Sequence, residues 1–139
     1  MAYKIERVDV WIGSIVDKPG GVAKKLAPLA EAGAALDFAL ARRDKKGKGL
    51  VFVAPIKGAA ALKAAKKARL AKSDKLQALR IEGPDKAGLG AQIAGALADA
   101  GINMRGLSGS AIARRCLFYL AFDNRPDANK AKQILAKAL

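Results

Sequence analysis

The chain has 139 residues, a formal net charge of +14 and no histidine, so a histidine base and a histidine metal ligand are excluded. Its single cysteine, Cys116, excludes an intrachain disulfide and lies in an apolar run typical of a buried thiol. Lys or Arg interrupts every apolar stretch of membrane-spanning length, and residues 1–8 lack a signal-type apolar core. We therefore expect a cytoplasmic protein without a membrane partner.

The first half of the chain alternates between strand and helix patterns. Residues 5–16 alternate apolar and polar side chains, as a strand does, and a glycine turn then leads into a helix with an apolar stripe from Val22 to Gly33. An extended segment at 34–43, a turn at 44–49 and a strand at 50–53 follow. Residues 58–72, rich in alanine and lysine, predict a second helix.

The second half repeats this order. It has a strand around 79–81, a helix with an apolar stripe from Leu89 to Ala100, an extended segment at 102–112, a strand at 117–120 and a helix at 127–138. Two motifs recur at one offset, because 85 − 17 for the Asp17 and Asp85 turns and 101 − 33 for the two helix-ending glycines both equal 68. The sequence predicts an α+β fold of two ferredoxin-like βαββαβ repeats, residues 1–73 and 74–139.

Catalytic motifs are weak throughout the chain. No paired carboxylates accompany a nucleophile, and Asp127 beside Pro126 predicts a helix start rather than an active site. Gly88-Leu89-Gly90 opens a helix after a strand, but the third glycine of the dinucleotide fingerprint is replaced by Ile93. We expect a protein that is not an enzyme and uses neither a cofactor nor a metal.

The strand-to-helix corners are the most promising binding positions. A helix N-terminus holds anions through its free N–H groups, and Gly20 and Gly88 would let a ligand approach without a Cβ in the way. Asp17 and Asp85 could face an ammonium, so each corner offers partners for both charged ends of a free amino acid. The residues alone equally allow the aspartates to be helix caps and the glycines to be turn residues.

Both repeats resemble the ACT domain, the regulatory module of amino-acid-sensing enzymes. The second repeat carries most of the family's pattern, with Ala87 in place of its usual proline: Asp85, Gly88, Leu89, Ile93, Leu97, Ala98, Gly101, Ile102 and Asn103. The first repeat keeps fewer of these positions: Asp17, Pro19, Gly20, Leu29, Ala30 and Gly33. It departs at Gly21 and Lys25, where the family has apolar residues, and has Ala35 opposite Asn103.

The resemblance implies a small-molecule effector, an amino acid in most ACT modules, held by the first loop and helix start. The implied ligand-binding residues are Asp17, Pro19, Gly20, Asp85, Lys86, Gly88, Leu89 and Asn103. A helix of about 15 residues spans roughly 20 Å, so Gly88 and Asn103 of one module cannot hold the same amino acid. We therefore expect the other repeat or another chain to complete the site, a homodimer through exposed sheet edges, and a separate regulated enzyme as partner.

An RNA-binding protein is the alternative function. RNA-recognition motifs share the βαββαβ order and stack bases on aromatic side chains of the open sheet face. Phe52, Tyr119 and Phe122 on that face would favour RNA, whereas a position under the helices would favour a core role. Because the basic residues are spread along the whole chain, we expect the charge mainly to solvate the surface, so that nucleic acid binding is weak and fades with salt.

Overall fold

The computed structural model describes residues 2–139, which form two compact units. The strands of this range are β1 (Lys4–Val8), β2 (Trp11–Val16), β3 (Phe38–Lys45), β4 (Lys48–Ala54), β5 (Gln77–Pro84), β6 (Gly106–Ile112) and β7 (Arg115–Phe122). The helices are α1 (Gly21–Glu31), α2 (Ala59–Lys67), α3 (Leu89–Asp99) and α4 (Arg125–Ala138). The fold is α+β with two ferredoxin-like units, as the sequence predicts.

The first unit, Asp9–Ser73, lies in the sequence between β1 and β5 and is called the inserted unit below. Its three strands pair antiparallel in the order β2-β4-β3. Ala71 forms an isolated antiparallel bridge with Ile12, at the position where a fourth strand would pair. Its core is small, with six buried apolar residues in one cluster: Trp11, Leu29, Val51, Val53, Ala65 and Leu70.

The second unit, called the host unit, consists of residues up to Val8 and Asp74–Leu139. Its four antiparallel strands follow the order β1-β5-β7-β6. Alternate residues of β5 and β7, such as Leu79, Leu120 and Phe122, are fully buried in one cluster with side chains of α3 and α4. The N-terminal strand β1 therefore occupies the sheet position that the last strand of a βαββαβ unit would fill.

Residues 5–16 do not form the single strand that their alternation predicts. They form β1 and β2, which belong to different sheets, so the predicted first repeat of residues 1–73 loses its first strand to the host unit. The cause is pairing: β1 runs antiparallel to β5 with Ile5 opposite Ile81, and Ile5 packs against the host core. The buried face of β2 is also the opposite one, since Trp11 rather than Ile12 joins the core.

Glycine ends two helices as predicted. Gly33 and Gly101 are left-handed, with φ of 77° and 73°, and the following N–H groups of Ala34 and Ile102 each donate to a carbonyl five residues back. Helix α2 stops at Lys67, well before the predicted residue 72, because Arg69 adopts a left-handed φ of 62°. Within residues 2–139, no helix combines the length and apolar character needed to cross a membrane.

The buried face of α1 differs from the predicted stripe. Leu29 is buried and Leu26 packs at the edge of the core, but Val22 is 37% exposed. The 68-residue offset explains this, since it aligns Gly21 and Lys25 with Leu89 and Ile93, both fully inside the host core. Helix α1 therefore presents a glycine and a lysine where α3 presents two large apolar side chains.

Candidate functional site

The two strand-to-helix corners have the same backbone geometry. Gly20 and Gly88 precede α1 and α3 with left-handed φ values of 89° and 82°. Neither helix has a side-chain cap, so Asp17 and Asp85 are not the N-caps that the simpler interpretation made them. A Cβ built on either glycine would have no atom within 4 Å, so the space beside each glycine is open. The N–H groups of Gly21 and Leu89 already donate to the carbonyls of Lys18 and Lys86, so the next two N–H groups of each helix are the ones available to an anion.

A backbone hydrogen bond fixes each corner against the neighbouring hairpin turn. The N–H of Asp85 donates to the carbonyl of Arg114 at 2.9 Å, and the N–H of Asp17 donates to the carbonyl of Gly47 at 3.2 Å. Arg114 itself is left-handed, with a φ of 66°. The same backbone contact occurs in both units, so the conformation of each corner is fixed by the fold.

The two corner aspartates differ in their side-chain partners. The Asp17 carboxylate accepts a hydrogen bond from Nε of Arg43 at 2.5 Å, and this bond raises the pKa of the Arg43 guanidinium. An ammonium of a ligand would have to share that carboxylate with Arg43. Asp85 is exposed beside Lys86, also exposed, so the second corner keeps an acidic and a basic side chain at its mouth.

Two of the predicted ligand residues lie elsewhere than the hypothesis needs. The Leu89 side chain is 2% exposed within the host core, and its N–H already donates to the carbonyl of Lys86, so it does not face the corner. Asn103 is exposed, but it follows the opposite end of α3 from Gly88. The eleven residues of α3 separate the two by about 16 Å, so the structure does not bring them together within one unit.

The aromatic side chains divide between the two faces of the sheets. Phe122 is fully buried under the helices of the host unit, where it serves the core. Tyr119 alternates with it onto the other face but is 5% exposed, so a base cannot stack on its ring. Phe52 also lies on the face away from the helices, with the guanidinium of Arg42 5.8 Å from its ring centre. Of these three aromatic side chains, Phe52 is therefore the one partly exposed on the open face, and a single ring is a poor platform for bases.

Catalytic chemistry finds little support in the described residues. No three His, Cys, Asp or Glu side chains of residues 2–139 converge as metal ligands would. Burial raises the pKa of the Cys116 thiol, whose sulfur lies 3.7 Å from the Pro84 carbonyl, so its nucleophilic thiolate is disfavoured. Hydrogen bonding to Arg80 lowers the pKa of Glu82, which also lies 3.5 Å from Arg115 and stays an ionised pairing partner.

A groove lies between α1 and α2 and was not predicted from the sequence. It has a volume of about 1180 Å³, and Pro19 and Gly20 of the first corner line one end of it. The signal was present in the sequence, because Gly21 and Lys25 are the positions where the first repeat departs from the apolar pattern. Their consequence for packing became visible only in the fold.

No family model matches the sequence, and a search of curated proteins finds no match. Among solved structures, a protein from Bacteroides thetaiotaomicron is similar with a TM-score of 0.78 and 15% identity, covering 96% of this chain and 89% of that one. The ligand-free regulatory subunit of aspartate kinase from Thermus thermophilus gives a TM-score of 0.65 and 20% identity, covering 100% of this chain and 97% of that one. This chain has the fold of that regulatory subunit.

The same fold also occurs inside a longer enzyme. Escherichia coli aspartokinase III, solved with aspartate and ADP, is similar with a TM-score of 0.59 and 15% identity. The match covers 99% of this chain but only 33% of the enzyme. At these identities the likeness concerns the fold alone.

Proposed function

We propose that this chain is a non-catalytic regulatory protein that binds an amino acid at the Gly88 corner of the host unit and acts on a separate enzyme. The observation that carries the proposal is the open, uncapped start of α3, held against its hairpin turn, with exposed Asp85 beside it. The ligand's carboxylate would accept from the N–H groups of Gly90 and Ala91, and its ammonium would pair with Asp85. A similar fold in an aspartate kinase regulatory subunit of nearly the same length supports a regulatory role.

The first corner is the weaker candidate for this role. Arg43 already occupies the Asp17 carboxylate, and Ala35 stands where the second repeat has Asn103. We therefore assign the effector to the second corner. Because Asn103 lies at the far end of α3, we propose that Asn103 of a second copy completes the site in a homodimer.

The test begins with thermal shift across the twenty amino acids. A ligand that binds only the folded state raises Tm in proportion to the logarithm of its concentration. Asn103→Ala and Gly88→Ala should each weaken the stabilising amino acid by about 1–3 kcal/mol, as expected for loss of a buried polar contact or its access. If no amino acid stabilises the wild type, the proposal is wrong.

The inserted unit offers a matched control. Gly20→Ala imposes the same left-handed strain at the start of α1, again with open space around the new methyl group. It should leave the affinity for the effector unchanged. Equal losses in Gly20→Ala and Gly88→Ala would show that general destabilisation, and not the second corner, governs binding.

Mixing the two damaged variants tests the homodimer. If each site takes its corner from one copy and Asn103 from the other, a mixed dimer regains one intact site. An equimolar mixture should then recover about a quarter of the wild-type sites by random pairing. No recovery would place Gly88 and Asn103 in separate roles.

A further inference from the structure

The groove of the inserted unit lies where α1 lacks two large apolar side chains that α3 has in the host unit. In the host unit, Leu89 and Ile93 of α3 are buried together with Ala131 and Leu135 of α4. The equivalent positions of α1 are Gly21 and Lys25, and a Cβ on Gly21 would collide with the carbonyl oxygen of Val16. No larger side chain can therefore fill the groove from that position.

Lysine at position 25 links α1 to the end of α2. Its ammonium donates to the carbonyl of Ala68, just past the end of α2, at 2.5 Å. Partial burial, and then the charge of Arg69, lower the pKa of Lys25. The groove thus contains a cation whose charged form an anionic ligand would stabilise.

The groove carries a strong positive charge. Its lining includes one acidic side chain, Glu31, and six basic ones: Lys18, Lys24, Lys25, Lys63, Lys67 and Arg69. Within residues 2–139, none of these six pairs with an acidic side chain. The remaining lining is short or apolar, with Ile15, Pro28, Ala32, Ala60, Ala64 and Ala68. Short side chains on the floor permit close approach of a ligand backbone, and the basic rim attracts negative charge.

We propose that this groove is a docking site for an acidic, amphipathic segment of another protein. Apolar side chains of the segment would lie on the alanine floor while its carboxylates pair with lysines of both helices, as in recognition of a helix in a groove. The inference rests on the proposed function in one respect, namely that a regulator without a catalytic site needs a separate partner. The contact itself is argued from the groove alone.

Two other ligand classes fit the groove less well. Its volume of about 1180 Å³ exceeds the usual range of roughly 300–1,000 Å³ for small-molecule pockets. Its lining contains no aromatic side chain, so single-stranded nucleic acid would find charge but no stacking platform. A segment that offers both carboxylates and apolar side chains matches both properties of the lining.

The experiment uses the full chain and a labelled helical peptide of about 14 residues, which spans roughly 20 Å. The peptide carries Glu on one face and Leu on the other, and its control replaces Glu with Lys. Fluorescence anisotropy at about 0.15 M salt measures binding, with a single-stranded RNA of similar length as a further arm. The wild type should bind the acidic peptide and not the basic one, and should bind the RNA more weakly.

Two adjacent lysines of α2 give a matched pair of variants. Both lie in the last turn of the helix, but Lys67 lines the groove and Lys66 does not. Lys67→Glu should weaken the acidic peptide about fivefold, and Lys66→Glu less than about twofold, as expected for one reversed exposed charge. The melting shift given by the amino-acid effector should be unaffected in both, so failure of the groove and failure of the effector site are separate results.

Several outcomes would overturn the docking site. Absence of peptide binding would do so, as would equal losses in Lys66→Glu and Lys67→Glu, which would indicate attraction by the general charge of +14. RNA that binds more tightly than the peptide and is weakened selectively by Lys67→Glu would assign the groove to nucleic acid instead.

Discussion

At the scale of single residues, Lys25 shows how one substitution between two repeats changes the use of a surface. Its counterpart Ile93 is fully buried, whereas Lys25 is partly exposed and its ammonium donates a hydrogen bond to the backbone carbonyl of Ala68. A charged group that loses water on folding destabilises the native state in proportion to the lowering of its pKa. The groove is therefore maintained at some cost in stability.

This cost should depend on pH. Because the pKa of Lys25 is lowered in the folded state, the unfolded chain binds more protons between that pKa and the ordinary lysine value of about 10.4. The free energy of unfolding of the wild type should thus rise relative to that of Lys25→Met over the alkaline range up to about pH 10.4, by a small amount because solvent screens this partly exposed group. Urea denaturation of both proteins across this range measures the difference, and a constant or falling difference would contradict it.

The candidate site was only partly predictable at this scale. Gly20 and Gly88 could be placed at helix starts because glycine, a turn and an apolar stripe occur in a fixed order. Leu89 was assigned to the ligand side by the resemblance alone, although its place in the apolar stripe already indicated the buried face on which it lies. The bond between Arg43 and Asp17 joins residues 26 positions apart, and only the β3–β4 hairpin brings them together.

At the scale of elements, local signals located the helices better than the strands. Periodicity predicts the existence of all four helices, but the early end of α2 depends on a left-handed arginine that no sequence rule anticipates. The alternation of residues 5–16 predicts one strand, but the structure has two, for a physical reason. A strand's alternation is unchanged when its partner changes, so only the pairing of β1 with β5 reveals where one strand ends and another begins.

Two helical glycines provide a test of this local packing. Gly95 lies inside α3 with no atom within 4 Å of an added Cβ, so Gly95→Ala should raise the free energy of unfolding by about 0.5–1 kcal/mol. Gly21→Ala should lower it by about 1–3 kcal/mol, because the methyl group meets the backbone of Val16. Chemical denaturation separates the two, and stabilisation by Gly21→Ala would show that the start of α1 can move away from Val16.

At the scale of the whole molecule, the sequence of one unit is inserted into the sequence of the other, and two complete repeats do not follow one another along the chain. The host unit takes its edge strand from residues that precede the inserted unit, and the inserted unit ends with a single bridging residue in place of a strand. An internal repeat in the sequence establishes that there are two similar units. It does not specify which unit receives the first strand, because β1 has no counterpart within the 68-residue offset.

This topology predicts that the host unit is incomplete without β1. Residues 74–139 alone would leave β5 as an exposed edge and uncover the core beside Ile5, so they should unfold with low cooperativity or aggregate. Joining residues 2–8 after Leu139 through a flexible linker should supply the missing strand beside β5 and restore a cooperative transition. Circular dichroism and urea denaturation of the two chains measure the difference.

A matched permutant with Ile5→Asp and Arg7→Asp should not regain the cooperative transition, because these changes remove the apolar contact of Ile5 and the hydrogen bond from Arg7 to Asn129 of α4. If residues 74–139 fold equally well without the added strand, then β1 does not contribute to the stability of the host unit. The assignment of residues 2–8 to that unit would then be contradicted.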